Sequence, residues 1–475
     1  MSRITVVDLD ETLVTTDLLL EGVWRAIRKK PGSIFLMIAA LYSSKLEFKL
    51  AVERLAPQLD ASILPYNPGV IQFLDKSKKN NTIIVLATAS PESWAQAVQD
   101  HLLLFDFILA SSPENGNLKG SMKRDLLIRK FPDSEFAYIG DSMSDIPLWE
   151  SAKEVVFAGK SKRTRRAVTK KFPNHTAIAS APPDLRDWSN EIRIRQWTKN
   201  LLVFVPMLLA LTVSQQNFMS GLAAFFAFGF VASSSYIFND LLDIEADRSH
   251  PEKKTRPIAR GAISISTAIL WMAALATLGL TTALMMGNRF FLLWLALYAI
   301  LNLSYSLFLK KLELFDVVAL SMLYLIRIVA GGVATATMVS HWLIVCAFFV
   351  FLGLGFLKRY SELIMNSDQG DDTNALIWRG YRKNDTPIVG ALGVGFSVIS
   401  TGMLALYIDQ AIQSSGPILW LLVPLWSLWI MRPWLLAHRG MMPSDPVEYA
   451  FRNPYSLVIA IALAVVFYAS NLLTI

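Results

Sequence analysis

About nine apolar stretches, each near the ~20 residues a helix needs to cross a bilayer, fill this chain from residue 193 onward. They lie at 197–213, 217–238, 263–287, 290–308, 314–338, 341–360, 386–409, 416–436 and 454–474. Backbone in lipid must satisfy its own hydrogen bonds, so such a sequence has to fold as an all-α polytopic membrane bundle. Basic residues crowd the connections after the second stretch (Lys253, Lys254, Arg256), the fourth (Lys310, Lys311), the sixth (Lys358, Arg359, Arg379, Arg382, Lys383) and the eighth (Arg432, Arg439, Arg452). The opposite connections hold little charge beyond Arg289 and Asp409. By the positive-inside rule the charged side is cytoplasmic.

The rest of the composition divides the chain. Of 475 residues 53% are hydrophobic and 17% charged, with the charge concentrated in roughly the first 200. This predicts an α/β domain at 1–180, a linker at 181–192 and the membrane domain at 193–475. The net charge of +7 reads as basic membrane edges facing anionic lipid, not as nucleic-acid binding. A single cysteine, Cys346, excludes an intrachain disulfide and a thiol metal site. The first ten residues, MSRITVVDLD, lack a basic stretch followed by an apolar one, so no cleaved signal is expected there.

In the first domain, strand-like runs at 3–7, 82–90, 136–140 and 154–159 alternate with helix-like segments. That order predicts a parallel sheet with its polar groups at the strand C-terminal ends. Those ends carry Asp8 and Asp10, then Thr88, then Asp141 and Asp145, with Lys123 opening a helix before the third run. Two carboxylates two residues apart allow one to attack phosphorus while the other handles protons. A further carboxylate would share Mg²⁺ that neutralises phosphoryl charge. Residues 18–68 interrupt the first strand–helix unit and look helical, as a small cap restricting access to Asp8. SIFLMIAALY within it is too short to span a bilayer and is expected to rest on the membrane or on the second domain. The cluster Lys160, Lys162, Arg163, Arg165, Arg166, Lys170 and Lys171 reads as a solvated helix face, with anionic lipid contact as its functional reading.

These pieces, D-x-D-x-T, then Thr, Lys and G-D-x-x-x-D, resemble the haloacid dehalogenase-like phosphatases. The resemblance implies a Rossmannoid sheet, Asp8 as nucleophile and Asp10 as general acid/base. It also implies Thr88 and Lys123 on the phosphoryl group, and Mg²⁺ held by Asp8, Asp10 and Asp141 with Asp145 close by. Lys119 competes for the lysine role; Lys123 is preferred because it begins a helix.

The stretch YIFNDLLDIEADRSHPEKKTRPIARG (236–261) leaves a long apolar run and at once supplies Asn239, Asp240, Asp243, Glu245 and Asp247. Spacings of three and four predict Asp240, Asp243 and Asp247 on one helix face. Such a group needs a cation, and oxygen-only ligands suit Mg²⁺ with substrate phosphates. Lys253, Lys254, Arg256 and Arg260 follow and could grip the phosphate oxygens. Within the apolar stretches, Lys199 and Asn200 enter the first, Tyr305 and Lys310 close the fourth, and Asp316 opens the fifth. Arg327 lies well inside that fifth stretch, where a charge costs ~2.5–3.5 kcal/mol on insertion scales and marks an interior cavity or site. Lys358, Arg359 and Glu362 end the sixth, where outward snorkelling competes with a site role for the two cations.

N-D-x-x-D-x-x-x-D with HPxKxxRPxAxG resembles the first aspartate-rich motif of the UbiA-type prenyltransferase superfamily, and most of all its decaprenyl-phosphate phosphoribosyltransferase branch. R-x-x-Q-W-x-K-N, Y-S-x-x-x-K with Asp316 beyond it, R-x-x-A-G, K-R-Y-x-E-L and D-P-V-x-x-A resemble that branch too. Ordinary members carry a second aspartate-rich motif; a Tyr–Lys–Asp pattern stands here instead. The resemblance implies a bifunctional enzyme of a bacterial inner or plasma membrane, acting in cell-envelope biosynthesis. The membrane domain would transfer 5-phosphoribosyl from phosphoribosyl diphosphate to a polyprenyl phosphate with Mg²⁺, and the fused phosphatase would remove the 5-phosphate. Substrate contacts would fall to Lys199, Asn200, Lys253, Arg256, Tyr305, Lys310, Asp316, Arg327, Lys358, Arg359 and Glu362. A homo-oligomer is left open. Two rival readings are a prenyl diphosphate donor with an aromatic or other acceptor, and a lipid-phosphate binding or transport protein with a regulatory phosphatase-like domain.

Overall fold

The computed structural model describes residues 3–132, 134–178, 182–367, 380–415, 417–443 and 445–472. Ala181 at the head of the expected linker, Arg379 and the tail of the last apolar stretch lie outside them. The chain forms two compact units. One joins Met1–Ile192 with Tyr236–Met272, the other Arg193–Ser235 with Ala273–Ile475.

The first unit is built on six parallel strands, β1 (Arg3–Val7), β2 (Ile83–Pro91), β3 (Phe107–Ser111), β4 (Glu135–Gly140), β5 (Glu154–Phe157) and β6 (Thr176–Ala177), in the order β3-β2-β1-β4-β5-β6. Side chains alternate across the sheet, so β1 to β5 feed two cores. Val7, Ile84, Leu86, Ile139 and Val156 pack on one face; Ile4, Val6, Val85, Tyr138 and Phe157 pack on the other. The strands read as continuous apolar runs because both faces are covered. β3 and β6, the outer strands, were not anticipated from the sequence. β3 carries a four-residue apolar run, Phe107–Ala110, that directly follows helix Glu92–Leu102 and its apolar end, whereas β6 is only two residues long.

After Asp8 the chain makes one wide turn, Leu9–Leu13, with Glu11 at φ +52°. It then rises into helices Leu18–Lys29, Ser33–Ser43 and Lys45–Leu55, the expected cap. The insertion closes on itself where Val14 bridges Tyr66 and Asn67 N–H donates to Leu13 O. Segment Tyr236–Met272 belongs to this same unit. Arg248 forks onto the Glu21 carboxylate (2.5 and 3.1 Å), with both side chains nearly inaccessible. Trp24 Nε1 donates to Leu241 O at 2.7 Å, and Lys160 Nζ donates to Thr15 O at 2.6 Å and to Gly261 O. Lys160 therefore leaves the solvated cluster in which the sequence places it. Gly261, at φ +70°, faces Thr15 so closely that a Cβ would lie 2.5 Å from its hydroxyl.

Seven described helices are long and apolar enough to cross a membrane: Gln215–Leu242, Ile265–Met285, Arg289–Leu307, Phe315–Ala334, His341–Met365, Lys383–Gln410 and Pro417–His438. The last apolar stretch is helical but shorter in its described apolar part (Pro454–Ser470). The first is not one helix. Residues Ile194–Phe204 wind as a tight 3-10 helix, and a short helix, Val205–Leu209, follows. Pro206 sits in the first turn of that second piece, where its missing N–H costs nothing, so the chain restarts there. The tight segment lies against helix Phe315–Ala334, because Gly331 lets the backbones approach: a Cβ there would fall 2.1 Å from Val203 O.

Candidate active sites

In the first unit the strand ends bring most of the expected phosphatase residues together. Lys123 Nζ lies 2.9 Å from Asp8 Oδ2, while Leu9 N–H donates to Asp8 Oδ1 at 2.8 Å. Lys123 also donates to Tyr138 Oη (3.2 Å), which donates to Asp145 Oδ1 (2.9 Å). Asp145 is buried, and its other oxygen accepts from the Asp141 and Ser142 N–H groups. Thr12 Oγ1 donates to Asp141 Oδ1 at 3.2 Å. Thr88 is fully buried, its hydroxyl oxygen accepting from Ser90 N–H. Lys119 is exposed; Lys123 is the lysine that reaches Asp8.

Ligand oxygens of Asp8, Asp141 and Asp145 lie within 4.8 Å of one another. Burial first, and the neighbouring Asp145 second, hold the Asp141 carboxyl well above the usual carboxylate range. Burial also raises Asp8, against the pull of Lys123. Three crowded carboxylates answered by one ammonium form an all-oxygen donor set short of positive charge, which fits Mg²⁺. The Asp10 carboxylate does not join them, contrary to its expected place among the metal ligands. Its oxygens accept from Leu18 N–H (2.8 Å) and Ser90 Oγ (2.6 Å), which turns it toward the cap. Burial, then Asp17, push it up to about 7, the range of a group that both gives and takes a proton near neutrality.

One residue of this site has no motif to announce it. Lys49, on cap helix Lys45–Leu55, is buried and donates to Ala89 O (2.5 Å) and Asn117 Oδ1 (2.6 Å). Burial lowers it to about 8, and Asp10 acts in the opposite direction. Lys49→Met is expected to lower phosphatase kcat/KM toward a small ester about 10- to 100-fold, from ~1.5–3 kcal/mol for a hydrogen bond to a charged group. Unchanged kinetics would reduce Lys49 to a tie between cap and sheet.

The aspartate-rich segment, also in the first unit, departs from one continuous face. Helix Gln215–Leu242 ends, and after Asp243 a new helix begins, Ile244–Ser249. The break relieves the stacking of like charges that an unbroken helix would impose. Asp240 and Asp247 are buried and still converge: Arg256 Nη1 donates to Asp240 Oδ1 (3.0 Å) and Asp247 Oδ2 (2.6 Å). Burial, opposed by Arg256, pushes Asp247 up to about 6. Two buried carboxylates sharing one cation, flanked by Asn239 and Asp243, offer a donor set that fits a divalent ion. Lys253 is half-buried and Arg260 pairs with Asp187.

The second unit buries two polar networks. In one, Lys199 Nζ meets Asp445 Oδ2 at 2.6 Å. Arg327 donates to Asn200 Oδ1 (3.0 Å), Tyr298 Oη (2.7 Å) and Leu323 O (2.7 Å), with its guanidinium 4.6 Å from the centre of the Tyr298 ring. In the other, Arg359, wholly inaccessible, donates to Asp316 Oδ2 (2.6 Å), Glu362 Oε2 (2.6 Å) and Tyr305 Oη (3.4 Å). Tyr381 Oη adds a 2.8 Å bond to Asp316. Arg359 thus points inward and does not snorkel, whereas Lys358 and Lys310 are half-buried. Sequence reading gave no role to Asp445, Tyr298 or Tyr381. Only Asp445 carried a signal, the D-P-V-x-x-A pattern.

Residues 201–453 match the UbiA prenyltransferase family and residues 5–150 match haloacid dehalogenase-like hydrolase. The chain is 32% identical over 469 residues to the uncharacterized protein y4nM of Sinorhizobium fredii, covering 97% of this chain and 89% of that protein. It is 32% identical over 282 residues to nodulation protein NoeC of Azorhizobium caulinodans, covering 57% and 89%. With decaprenyl-phosphate phosphoribosyltransferase of Corynebacterium glutamicum it shares 29% over 255 residues, covering 52% and 76%.

Proposed function

The chain belongs to the UbiA prenyltransferase family, and on that premise we propose that it makes a polyprenyl phosphoribose in two steps. In the first, a phosphate oxygen of a polyprenyl phosphate attacks C1 of phosphoribosyl diphosphate. The new C1–O bond forms as the bond to diphosphate breaks, and diphosphate leaves. In the second, the Asp8 carboxylate attacks the phosphorus of the 5-phosphate, the bond from phosphorus to the ribose 5-oxygen breaks, and Asp10 protonates that departing oxygen to a hydroxyl. Water then releases phosphate from Asp8, with Asp10 taking its proton. Mg²⁺, held by Asp240, Asp243 and Asp247 with Asn239 nearby, and by Asp8, Asp141 and Asp145, would supply charge neutralisation at the phosphates.

The observation that carries this reading is the state of Asp316. By the resemblance it belongs to the Tyr–Lys–Asp pattern that replaces a second aspartate-rich motif, and its carboxylate is engaged by Arg359 and Tyr381. That supports a donor with one metal-bound diphosphate and a second phosphate gripped by side chains. Lys199, Lys310, Arg327 and Lys358 are assigned to the lipid phosphate and the sugar phosphate as a set. Lys253 and Arg256 are assigned to the diphosphate, and Asn200, Tyr305, Arg359 and Glu362 to holding those side chains in place. Diphosphate release is reversible, and dephosphorylating the product would draw the transfer forward. The proposal puts the phosphatase on the cytoplasmic side of a bacterial inner membrane, the side that the positive-inside rule assigns to the basic connections.

The test uses purified protein in detergent with Mg²⁺, polyprenyl phosphate and ribose-labelled phosphoribosyl diphosphate. Label is expected in a lipid-linked ribose without 5-phosphate, and chelating Mg²⁺ is expected to stop its formation. Absence of lipid label, with consumption of a prenyl diphosphate instead, would overturn the donor assignment.

A further inference from the structure

Cap helix Ser33–Ser43 presents an apolar surface to its surroundings. Ile34, Phe35, Leu36, Ile38, Leu41 and Tyr42 are exposed, Phe35 by 75% and Tyr42 by 89%. Ser33 and Met37, one turn apart, are the helix residues buried in the unit. Large contiguous apolar surface of this kind marks an interaction site. The flanks have a sign: Arg28, Lys29 and Lys30 precede the helix and Lys45 follows, all exposed. No Asp or Glu occurs between Glu21 and Glu47.

We propose that this helix inserts into the interfacial zone of an anionic bilayer. Its 11 residues make a rod of ~16 Å at 1.5 Å per residue, about half of the ~30 Å hydrocarbon thickness. It therefore lies in the interface and does not cross. Cations at both ends match anionic head groups, and Tyr42, at the helix end, is a residue type that favours the interface. A second copy of the cap is a poorer occupant, because docking like on like would set the flanking cations of the two copies against each other. The bilayer is at hand, since the chain is an integral membrane protein. The cap thereby gives the phosphatase domain an anchor of its own, independent of the transmembrane helices.

The experiment uses the full chain in lipid nanodiscs. In a Cys346→Ala background, Phe35→Cys carries an environment-sensitive nitrobenzoxadiazole dye, and Lys130→Cys on helix Ser121–Lys130 carries the same dye as reference. Retained hydrolysis of a small soluble phosphate ester shows that each variant is folded; should Phe35→Cys lose it, Tyr42→Cys takes the dye. In discs of equal parts phosphatidylcholine and phosphatidylglycerol, the Phe35 probe is expected to emit to the blue of the Lys130 probe. It is also expected to be quenched by lipids spin-labelled near the head group. Lys29→Glu with Lys30→Glu is expected to weaken both signals. A Phe35 probe that emits as it does in water overturns the proposal. So does one that is blue-shifted yet untouched by spin-labelled lipid, since protein, from this chain or a second copy, would then cover the helix.

Discussion

Asp8→Asn is expected to stop phosphate release and leave lipid-linked ribose 5-phosphate as the labelled product of the coupled assay. Loss of the nucleophile should cost on the order of 10⁴- to 10⁶-fold in the hydrolytic step, while transfer to the lipid continues. The substitution keeps the shape of the side chain and removes one negative charge from a crowded group in which burial, and then Asp145 and Asp8, already hold Asp141 high. Folding is therefore expected to survive, and thermal stability to hold or rise, because Lys123 keeps its link through Tyr138 to Asp145. A stable variant that accumulates the 5-phosphate separates the two chemistries. A stable variant that still yields dephosphorylated lipid would remove Asp8 from its role and place the phosphatase activity elsewhere.

Much of this protein was legible because its chemistry leaves ordered traces. A phosphoryl site at the C-terminal edge of a parallel sheet needs its carboxylates and hydroxyl at strand ends and a lysine beside them, and Asp8, Thr88, Lys123 (on a helix) and Asp141 follow one another in that order. Membrane helices declare themselves by length and hydropathy alone, so most spans could be placed to within a few residues. The first span failed for a physical reason. Hydropathy counts apolar residues, yet Lys199 and Asn200 are buried there among polar partners and Pro206 restarts the helix.

What stayed hidden is pairing across long separations. Nothing near Lys199 announces Asp445, 246 residues away, and nothing near Glu21 announces Arg248, 227 residues away. Lys49 reaches the phosphatase site from a cap whose sequence shows only helix periodicity. The orientation of Asp10 was equally out of reach. A D-x-D motif fixes where two carboxylates begin, but the partners Leu18 and Ser90, supplied by the cap and by β2, decide where the second one points.

Arg359→Met is expected to be among the most destabilising single substitutions in the membrane domain. Arg359 and Asp316 are both inaccessible, and three separate donors of the guanidinium are engaged by Asp316, Glu362 and Tyr305. Removing the arginine leaves the Asp316 carboxylate buried with, among the described residues, the Tyr381 hydroxyl donating to it. Breaking one side of a buried ion pair costs ~3–5 kcal/mol, whereas replacing both sides by apolar groups is often near neutral. The double variant Arg359→Met with Asp316→Leu should therefore recover most of the thermal stability, read in detergent by loss of the monodisperse species on heating. Arg359→Lys should recover little, since an ammonium cannot reproduce the planar fork. The same series tests the assigned role. An arginine already committed to three protein oxygens positions Tyr305 and Asp316 rather than gripping phosphate, so the double variant should regain stability while losing transferase kcat more than KM. Equal stability of the single and double variants would mean that water reaches Asp316 and that the network is not closed.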